Sequence, residues 1–586
     1  MRLNHLALCC VVALAGCAST AVVKNPPPVV DPSIAQQAAK AEAERSEAAQ
    51  QITAAGLLKN INVLASDAFE GRKPGTGGED ATVNYLVGQF KALGLLPGSQ
   101  QGSYTQPVDL MGITSESTLK INVKGKALPL QQGNDYVAAS VRFLPDVDVK
   151  NAPLVFVGYG VQAPEYDWDD YKGLDVHGKT LVMLINDPPV ADPDRPPAVN
   201  TNAPAQLDPK MFKGKGMTYY GRWTYKYDIA SQLGAAAVLI VHETVPAAYP
   251  WAVVQNSWGG TERFELDADH RNLKRVPVQG WLTLDKAKEL FAAAGQDFDA
   301  LKAAAVRRDF TPVALDASAT VHIRNTLRSV ESRNVAARIA GSDPVVGDQH
   351  IIYTAHWDHL GRDTTLQGDQ IFNGAVDNAS GVAGLLEIAK AYQALGTPPK
   401  RSVLFLAVTA EEQGLLGSRA YAAKPLYPIV DTLADINMDA LNPWGPTQDI
   451  QVVGFGQNTL EDVLIESAKT QNRIVVADKT PERGGFYRSD QFEFAKVGVP
   501  GLYATSGEMF IGKSQEWGQS RRAEYTARDY HKPSDEVRPD WDLSGAALDL
   551  QLLFDVGARL SGDGAWPAWK TGSEFKSVRE TQAGGP

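Results

Sequence analysis

The stretch IIYTAHWDHL, residues 351–360, contains the pattern on which the rest of the chain depends. Its apolar first half is typical of a buried strand, and His356 comes just after this strand pattern. A second apolar run, residues 403–408, is followed closely by the adjacent acids Glu411 and Glu412. Ligands bind at the carboxyl ends of strands in open α/β sheets. A histidine and acids in such places therefore indicate a metal site with a general base beside it.

The second half of the chain alternates strand patterns with helical patterns. Helices are clearest at residues 380–394 and 458–470. The predicted strands are residues 335–339, 351–354, 403–408, 434–438 and 502–504. Strands that are apolar along their whole length are covered on both faces. We therefore expect an α/β fold with a mostly parallel sheet and helices on both sides.

The middle of the chain, between about residues 106 and 326, has a different texture. Short strand patterns at 153–160, 179–185 and 237–241 are separated by long irregular connections, and a helical pattern spans 225–234. This mixture predicts a separate α+β lobe. Helical patterns at about 33–65 and 78–95 precede it.

Composition limits the classes of function. The 586 residues are too many for one ordinary core, so two or more domains are expected. The net charge of −12 argues against nucleic acid or an anionic membrane surface as a partner. All three cysteines, Cys9, Cys10 and Cys17, lie in the first seventeen residues, so the remaining chain has no disulfide.

The N-terminus predicts export. Arg2 precedes an apolar run that is too short to span a bilayer, and the sequence Leu-Ala-Gly-Cys ends at Cys17. Leu-Ala-Gly-Cys resembles the lipobox of bacterial lipoproteins. That resemblance implies a signal at residues 1–17, lipidation of Cys17 and a lipoprotein of the cell envelope, facing the periplasm or in the outer membrane. A plain signal peptide is the alternative.

Two metal ions that share one water need a bridging ligand, and a carboxylate has two oxygens for that task. We interpret Asp377 as the bridge. One metal would then take His356, Asp377 and Asp439, and the other Asp377, Glu412 and His531. Each member has an ordinary alternative: adjacent glutamates occur on solvated faces, and Asp439 or His531 could simply belong to a turn. The placement of the acids after buried strands favours the metal interpretation.

Two further acids are expected to act without binding metal. Glu411 can take a proton from the bridging water as general base. Asp358, two places after His356, would accept the other N–H of that imidazole and fix its tautomer. His359 receives no role from this pattern.

The motifs together resemble those of the two-zinc exopeptidase family, which includes bacterial leucyl-type aminopeptidases and glutamate carboxypeptidase. The resemblance covers about residues 332–560, with a weaker echo at 66–95 where Gly-Arg and Gly-Thr-Gly elements recur. It implies a zinc exopeptidase with two zinc ions, Glu411 as general base, and peptides or small proteins with a free terminus as substrates. The motifs that carry it are His356-x-Asp358, Asp377-Asn378-x-Ser380-Gly381, Thr409-x-Glu411-Glu412-x-Gly414-Leu415-x-Gly417-Ser418, Asn437-x-Asp439 and Tyr530-His531.

The middle lobe is similar to the protease-associated domain that some family members carry before the first zinc histidine. Lys226, Ala230, Gly234, Ala235 and residues 238–241 carry this resemblance. In relatives the lobe leans over the active-site entrance. The predicted organisation is a signal at 1–17, a tether and N-terminal helix at 18–50, the first part of a peptidase domain at 51–130, the inserted lobe at 131–325, the main part of the peptidase domain at 326–565 and a tail at 566–586.

The loop around Tyr487 resembles the family's tyrosine- and Ser-Asp-containing loop, although Gln491 stands where the family often has histidine. Tyr487 is the predicted oxyanion donor. An aminopeptidase is the expected activity. A carboxypeptidase of the same family remains open, since Arg483, Arg488, Arg521 and Arg522 could bind a free carboxylate. A dinuclear zinc amidase or deacylase and a non-catalytic binding protein on the same fold also remain open.

Overall fold

The computed structural model describes residues 32–195, 206–258, 262–267 and 270–583. The predicted signal, the tether up to residue 31 and Cys17 lie outside these residues. The chain divides into two compact units, residues 1–44 and 45–586, and the second unit contains the sheet and the predicted ligands. None of the described helices is long and apolar enough to cross a membrane.

The described strands run from short two-residue pairs to one strand of 27 residues. They are β1 (Leu96–Pro97), β2 (Thr105–Val123), β3 (Lys126–Leu128), β4 (Tyr136–Ala139), β5 (Asp146–Phe156), β6 (Gln162–Ala163), β7 (Trp168–Asp169), β8 (Thr180–Leu184), β9 (Ala237–His242), β10 (Arg263–Leu266), β11 (Val278–Thr283), β12 (Val313–Ile339), β13 (His350–His356), β14 (Gly361–Arg362), β15 (Ile371–Phe372), β16 (Ser402–Val408), β17 (Thr432–Asn437), β18 (Asp449–Val452), β19 (Ile474–Ala477) and β20 (Gly501–Ser506).

The α-helices flank these strands along most of the chain. They are α1 (Pro32–Ala49), α2 (Ala54–Leu64), α3 (Gly77–Ala92), α4 (Trp223–Gln232), α5 (Thr244–Ala247), α6 (Trp251–Trp258), α7 (Leu284–Ala294), α8 (Phe298–Ala304), α9 (Gly381–Gln393), α10 (Leu416–Ala423), α11 (Leu460–Lys469), α12 (Gln491–Lys496), α13 (Gln515–Arg528), α14 (Ser544–Ser561) and α15 (Lys576–Ala583).

One sheet runs through the second unit in the order β19-β18-β20-β17-β13-β16-β12-β5-β8-β9-β11-β4. Its centre is parallel: β13 pairs in parallel with both β16 and β17, and β17 with β20. Antiparallel pairing of β12 with β16 closes this parallel block on one side. The expected α/β fold with a mostly parallel sheet and covering helices is confirmed.

Successive residues of the central strands enter cores on opposite faces. Tyr353 and Phe405 stack face to face, with ring centroids 5.7 Å apart, in the core that also contains residues of α2, α3, α9 and α14. Ile352 and Leu404 point the other way and pack with Tyr421 of α10 and Phe494 of α12. Covering on both faces explains why these strands are apolar along their whole length.

The middle of the chain has its own core but shares its main strand with the rest. Strands β5, β8, β9 and β11 are parallel to one another and pack with β4, α4 and α7 in a second core. Strand β12 pairs with β5 over residues 313–324 and with β16 over residues 335–339. The predicted boundary between residues 325 and 326 therefore falls inside β12, and the domain boundaries themselves stay a prediction.

The single helical pattern predicted for residues 33–65 is two helices. Helix α1 ends at Ala49 and α2 begins at Ala54. Thr53 caps α2, because its side chain accepts a hydrogen bond from the backbone N–H of Gly56. The backbone N–H of Thr53 in turn donates to Glu387 of α9 at 3.0 Å. Thr53, which caps α2 and is hydrogen-bonded to α9, thus separates two helices in a segment whose composition favours one.

Burial of His350 predicts a pH-dependent stability. Its ring stacks on Tyr427 with centroids 4.0 Å apart, and burial, together with Arg338, lowers the pKa of His350 to about 4. Histidine in the unfolded chain has a pKa of about 6.5. The unfolded state therefore binds the proton first, and the free energy of unfolding should fall by about 3 kcal/mol as the pH drops from about 6.5 to about 4.

His350→Phe keeps a stacked ring and removes this titration. Urea unfolding at about pH 7 and about pH 4.5 should show the variant gaining stability relative to wild type at the lower pH. His177→Phe, at an exposed histidine, is the matched control and should show no such gain. Equal pH dependence of wild type and His350→Phe would contradict the assignment.

Candidate metal centre

The sheet brings the predicted ligands to one edge. His356 is the last residue of β13, Glu412 follows β16, and Asp439 follows β17. Asp377 lies in the turn that precedes α9, and His531 lies just beyond the end of α13. All of them except His531 are at the carboxyl ends of parallel strands or at the start of the following helix, where ligands of such sheets bind.

Asp377 stands between the two histidines. Its Oδ1 lies 3.2 Å from Nε2 of His356, and its Oδ2 lies 3.2 Å from Nε2 of His531. Asp439 Oδ1 is 3.4 Å from the same nitrogen of His356, and Glu412 Oε2 is 3.1 Å from the same nitrogen of His531. The five side chains thus form two groups of three that share Asp377. Ligand atoms of His356, Asp377 and Glu412 lie within 4.8 Å of one another.

The carboxylates raise the proton affinity of both histidines. Burial alone lowers the pKa of His531, but Glu412 and Asp377 raise it to about 10. The pKa of His356 is likewise raised well above its usual value by Glu411, Asp377 and Asp439 against the effect of burial. The cluster therefore favours positive charge between its carboxylates.

The pKa values of the adjacent glutamates are shifted in opposite directions. Burial raises the pKa of Glu411 well above its usual value, and the neighbouring charges of Glu412 and Asp439 add to that effect. Burial and Asp377 also act to raise the pKa of Glu412, yet His531 and His359 outweigh them and lower it to about 2. Glu412 is therefore suited to bind a cation, whereas Glu411 is suited to carry a proton.

The structure gives Asp358 a different contact from the one predicted. Its Oδ1 lies 3.8 Å from Nδ1 of His356, which is closer, at 3.2 Å, to the main-chain oxygen of Asp358. The carboxylate instead accepts hydrogen bonds from the backbone N–H groups of Glu411 at 3.0 Å and Glu412 at 3.4 Å. Asp358 thus links the loop after β13 to the loop after β16, and its carbonyl is the nearer partner of the imidazole.

His359, which has no role in the predicted site, contacts a predicted ligand. Its Nδ1 lies 2.7 Å from Oε1 of Glu412, and its other ring nitrogen is buried without a hydrogen-bond partner among the described residues. The contact uses the Glu412 oxygen that does not face His531. His359 therefore orients Glu412. Only the spacing after His356 could have suggested this role.

Arg72 supports the two loops that carry His356 and Asp377. Its guanidinium is buried and donates to the carbonyl oxygens of Trp357 at 2.9 Å, Asn373 at 2.6 Å and Gly374 at 2.9 Å. A fourth hydrogen bond reaches the carbonyl of Leu64, at the end of α2. The first three carbonyls flank the loops that carry His356 and Asp377. The Gly-Arg element of the sequence is thus a structural part of the site.

Asp535 fixes the turn that carries Asp377. Its carboxylate accepts hydrogen bonds from the backbone N–H groups of Val376 and Asp377, both at 3.1 Å. The hydroxyl of Tyr525 donates to the same carboxylate at 3.2 Å. Since Asp535 follows His531 closely in the chain, one segment contains a predicted ligand and also positions Asp377.

The structure does not bring Tyr487 to the metal-ligand cluster in the predicted role. Its ring is buried, and its hydroxyl donates to Glu574 Oε1 at 2.6 Å. Lys213 donates to the same hydroxyl at 3.3 Å and to Glu574 at 2.8 Å. A hydroxyl whose proton is held by a carboxylate is not available to a reacting oxygen. The contact with Glu574, in the C-terminal tail, could not be predicted from the motif.

Two other tyrosines lie beside the ligands. The ring of Tyr530 stacks on His531 with centroids 3.8 Å apart, and burial together with Asp377, Glu412, Glu411 and Asp439 raises the pKa of its hydroxyl. The hydroxyl of Tyr503 donates to the main-chain oxygen of Asp439 at 3.3 Å. Tyr530 directly precedes the predicted ligand His531, and this position in the sequence could have indicated that it lies near the site.

Ser489 and Asn437 belong to the surroundings of Asp439. The Ser489 hydroxyl donates to Asp439 Oδ2 at 2.6 Å, and the side-chain amide of Asn437 donates to that hydroxyl and to Gln491. Gln491 stands where the family often has histidine. Its side-chain oxygen accepts a hydrogen bond from Asn437, close to Asp439.

Residues 334–554 match peptidase family M28. The chain carries a peptidase family M28 domain. All five predicted ligands, Glu411 and Asp358 lie inside the matched residues, and the resemblance drawn from the sequence motifs is confirmed at the level of the family.

Curated relatives of the M28 domain match over short segments. Aminopeptidase NAALADL1 of Mus musculus is 37% identical over 133 residues, which are 22% of this chain and 16% of the relative. A probable zinc metalloprotease of Pyrenophora teres f. teres is 38% identical over 112 residues, 19% of this chain and 23% of the relative. The chain therefore spans less than a quarter of the length of either.

Solved structures are similar over most of the chain at low identity. An aminopeptidase from Aneurinibacillus sp. strain AM-1 is 17% identical, with a TM-score of 0.45, over 89% of this chain and 97% of that one. A peptidase M28 precursor from Shewanella amazonensis SB2B is 17% identical, with a TM-score of 0.40, over 90% and 98% of the two chains.

Removing the Asp358 carboxylate should weaken metal binding. Asp358→Ala leaves the half-buried backbone N–H groups of Glu411 and Glu412 without this acceptor, so the loop that carries Glu412 should shift. We expect metal affinity to fall by about 10–100-fold in a chelator titration. Asp363→Ala, at an exposed acid whose partner is Thr365, is the control. Unchanged affinity in Asp358→Ala would contradict this role.

Proposed function

We propose that the protein is a zinc-dependent exopeptidase and, within that class, an aminopeptidase. The observation that carries the proposal is the position of Asp377 inside the M28 domain, with each carboxylate oxygen facing a different histidine. On this basis His356, Asp439 and Asp377 would hold one zinc ion, and Glu412, His531 and Asp377 would hold a second.

The residues present fit zinc. Imidazole nitrogens and carboxylate oxygens are among its usual ligands, and a catalytic site keeps a position open beside three protein ligands. Here each group of three contains one imidazole and two carboxylates, and both Nε2 atoms point towards the shared carboxylate. When bound, zinc supplies Lewis-acid polarisation of a peptide carbonyl and lowers the pKa of water.

Glu411 is the proposed general base. Its Oε2 lies 4.0 Å from Nε2 of His356, and burial, together with the charges of Glu412 and Asp439, raises its pKa, which makes the carboxylate a stronger proton acceptor. Glu411 takes a proton from the attacking water and passes it to the amine that leaves the scissile bond. Tyr530, whose ring stacks on His531, is our candidate for the group that donates a hydrogen bond to the oxygen on which negative charge develops.

The proposed substrate class rests on the family and on the relatives' names. Aminopeptidase NAALADL1 and the probable zinc metalloprotease support a peptidase that acts on peptides or small proteins with a free terminus. The negative net charge of the chain supports the absence of nucleic acid among its partners. We also propose that the middle lobe is a protease-associated domain that limits access to the site.

Glu411→Gln tests the proposed base. The variant keeps every proposed ligand, so zinc content by elemental analysis should match wild type, while kcat should fall by about 10²–10⁴-fold. Aminoacyl-dipeptides and their N-blocked forms are the substrates. Hydrolysis of the free-amine forms alone supports an aminopeptidase, whereas hydrolysis of N-blocked forms supports a carboxypeptidase. Near-wild-type turnover by Glu411→Gln would remove Glu411 from the mechanism.

We further propose that the protein is a lipoprotein of the bacterial cell envelope, attached to the membrane through Cys17. The support is the Leu-Ala-Gly-Cys sequence after a short apolar run. A diacylated N-terminus would hold the chain at the membrane without a spanning helix.

Cys17→Ser removes the proposed site of lipidation. After expression in a bacterial host, labelled palmitate should enter the wild-type protein and not the variant, and the variant should move from the membrane fraction to the soluble envelope fraction. Cys10→Ser, inside the apolar run, is the control and should behave as wild type. Incorporation of labelled palmitate into Cys17→Ser would contradict the proposal.

A further inference from the structure

A buried carboxyl group outside the predicted ligand set lies in the sheet that carries the candidate metal centre. Asp435 is in β17, the strand that precedes the predicted ligand Asp439, and its side chain is buried. Its Oδ1 lies 2.9 Å from Oγ1 of Thr354, on the neighbouring strand β13. Its Oδ2 is buried without a hydrogen-bond partner among the described residues. The contact with Thr354 is therefore the one that indicates the protonation state of Asp435.

Thr354 has one hydroxyl hydrogen but two oxygen neighbours. Its Oγ1 lies 2.9 Å from Oδ1 of Asp435 and also 2.9 Å from Oδ1 of Asn437. A hydroxyl group donates one hydrogen bond and can accept others. If Thr354 donates to Asn437, the hydrogen between Thr354 and Asp435 must come from Asp435. The orientation of the Asn437 amide group thus decides which group carries that hydrogen.

Two hydrogen bonds fix the orientation of the Asn437 amide group. Nε2 of Gln491 donates to the main-chain oxygen of Phe486 at 2.6 Å, and because this oxygen can only accept, the side-chain oxygen of Gln491 faces Asn437. Nδ2 of Asn437 donates to that side-chain oxygen at 2.8 Å and to the Ser489 hydroxyl at 2.7 Å. Rotating either amide by a half-turn would bring two oxygens together. The Asn437 oxygen therefore faces Thr354 and accepts its hydrogen.

Burial favours the same protonation state. A carboxylate in the core is costly unless hydrogen bonds or opposite charge compensate it, and Oδ2 of Asp435 has no hydrogen-bond partner among the described residues. Burial raises the pKa of Asp435 well above its usual value, Thr354 acts against this effect, and the charge of Asp490 adds to it. A neutral acid leaves an uncharged oxygen unpaired there, which costs less than an unpaired charge.

The series of hydrogen bonds ends on a predicted metal ligand. The Ser489 hydroxyl accepts from Asn437 and uses its own hydrogen for Asp439 Oδ2, at 2.6 Å. Oδ1 of Asp439 lies 3.4 Å from Nε2 of His356. Each hydrogen bond in such a series polarises the next one. A proton on Asp435 thus strengthens the contact that holds Oδ2 of Asp439 and leaves Oδ1 for a cation.

We propose that Asp435 carries a proton at neutral pH and acts as a positioning residue for Asp439. The hydrogen bonds then run in one direction, through Thr354, Asn437 and Ser489. An ionised Asp435 would take the hydrogen of Thr354 and leave the Asn437 oxygen without a donor. The positioning role rests on the proposed function, in which Asp439 is a zinc ligand, whereas the protonation state of Asp435 does not.

Infrared spectroscopy tests the proton. A protonated carboxyl group has a C=O stretching band separate from the bands of carboxylates, and an isotope label in the aspartate carboxyl carbon shifts it. The labelled full chain should show this band at neutral pH, where ordinary aspartates are ionised, and Asp435→Asn should lose it. Asp490→Asn, at another buried acid, is the matched control and should keep a band.

Absence of the band from wild type, unchanged intensity in Asp435→Asn, or loss of the band from Asp490→Asn would overturn the proposal. The wild-type spectrum decides on its own if a variant fails to fold, because the proposal requires a protonated aspartate in the unmodified chain.

Zinc affinity tests the positioning role. Asp435→Leu cannot donate and should weaken zinc binding by about 10–100-fold in a chelator titration, as loss of a group that orients a ligand does. Asp435→Asn, whose N–H can donate to Thr354, should restore most of the affinity. Thr354→Val interrupts the same series, so adding Asp435→Leu to it should cause little further loss. Additive losses, or wild-type affinity in Asp435→Leu, would contradict the role.

The two measurements keep this inference apart from the proposed function. A wild-type chain that binds no zinc contradicts the proposed function, and the infrared band still decides whether Asp435 carries a proton. A chain that binds zinc and hydrolyses free-amine peptides but has no protonated Asp435 contradicts the hydrogen-bond series alone.

Discussion

The site depends on one buried cation that belongs to the chain itself. Arg72 lies in the first part of the sequence, yet its guanidinium joins the carbonyl that follows His356 to the carbonyls that precede Asp377. Burial lowers the pKa of Arg72 to about 10, and Asp535, Asp358 and Asp377 act in the opposite direction. A buried charge persists only when its donors are satisfied and opposite charge is near. Arg72 meets both conditions.

This cation explains how so many acids can gather at one edge of a sheet. Like charges at such distances raise one another's pKa, and at Glu411 the charges of Glu412 and Asp439 add to the larger effect of burial. That repulsion is countered by the histidines, by Arg72 and by the backbone N–H groups that donate to Asp358 and Asp535. The ligand loops are therefore held by charges and hydrogen bonds that lie outside the ligand set, which keeps the carboxylates in place for a metal ion.

The meeting of the predicted ligands at one edge could be predicted because their positions follow from strand and helix patterns. His356 and Glu412 come at the ends of apolar strands, and parallel strands end at one edge of the sheet. Contacts between distant segments were not predictable in this way. The Tyr487 hydroxyl is held by Glu574 of the tail, and the capping of α2 by Thr53 breaks a helix that composition alone would continue. Such pairings carry no periodic signal.

Strand β12 belongs to both the middle lobe and the M28 domain, so the two cannot be separated cleanly. It serves as an edge of the parallel block through β16 and as part of the lobe through β5, and β2 pairs with it along most of its length. The lobe therefore cannot be exchanged as a unit between two linkers. Removing β12 with it would leave one edge of β16 without a paired strand. A transplanted lobe must bring β12 and β2 with it. The lobe and the M28 domain are consequently joined by continuous, hydrogen-bonded strand backbone instead of a linker between two separate sheets.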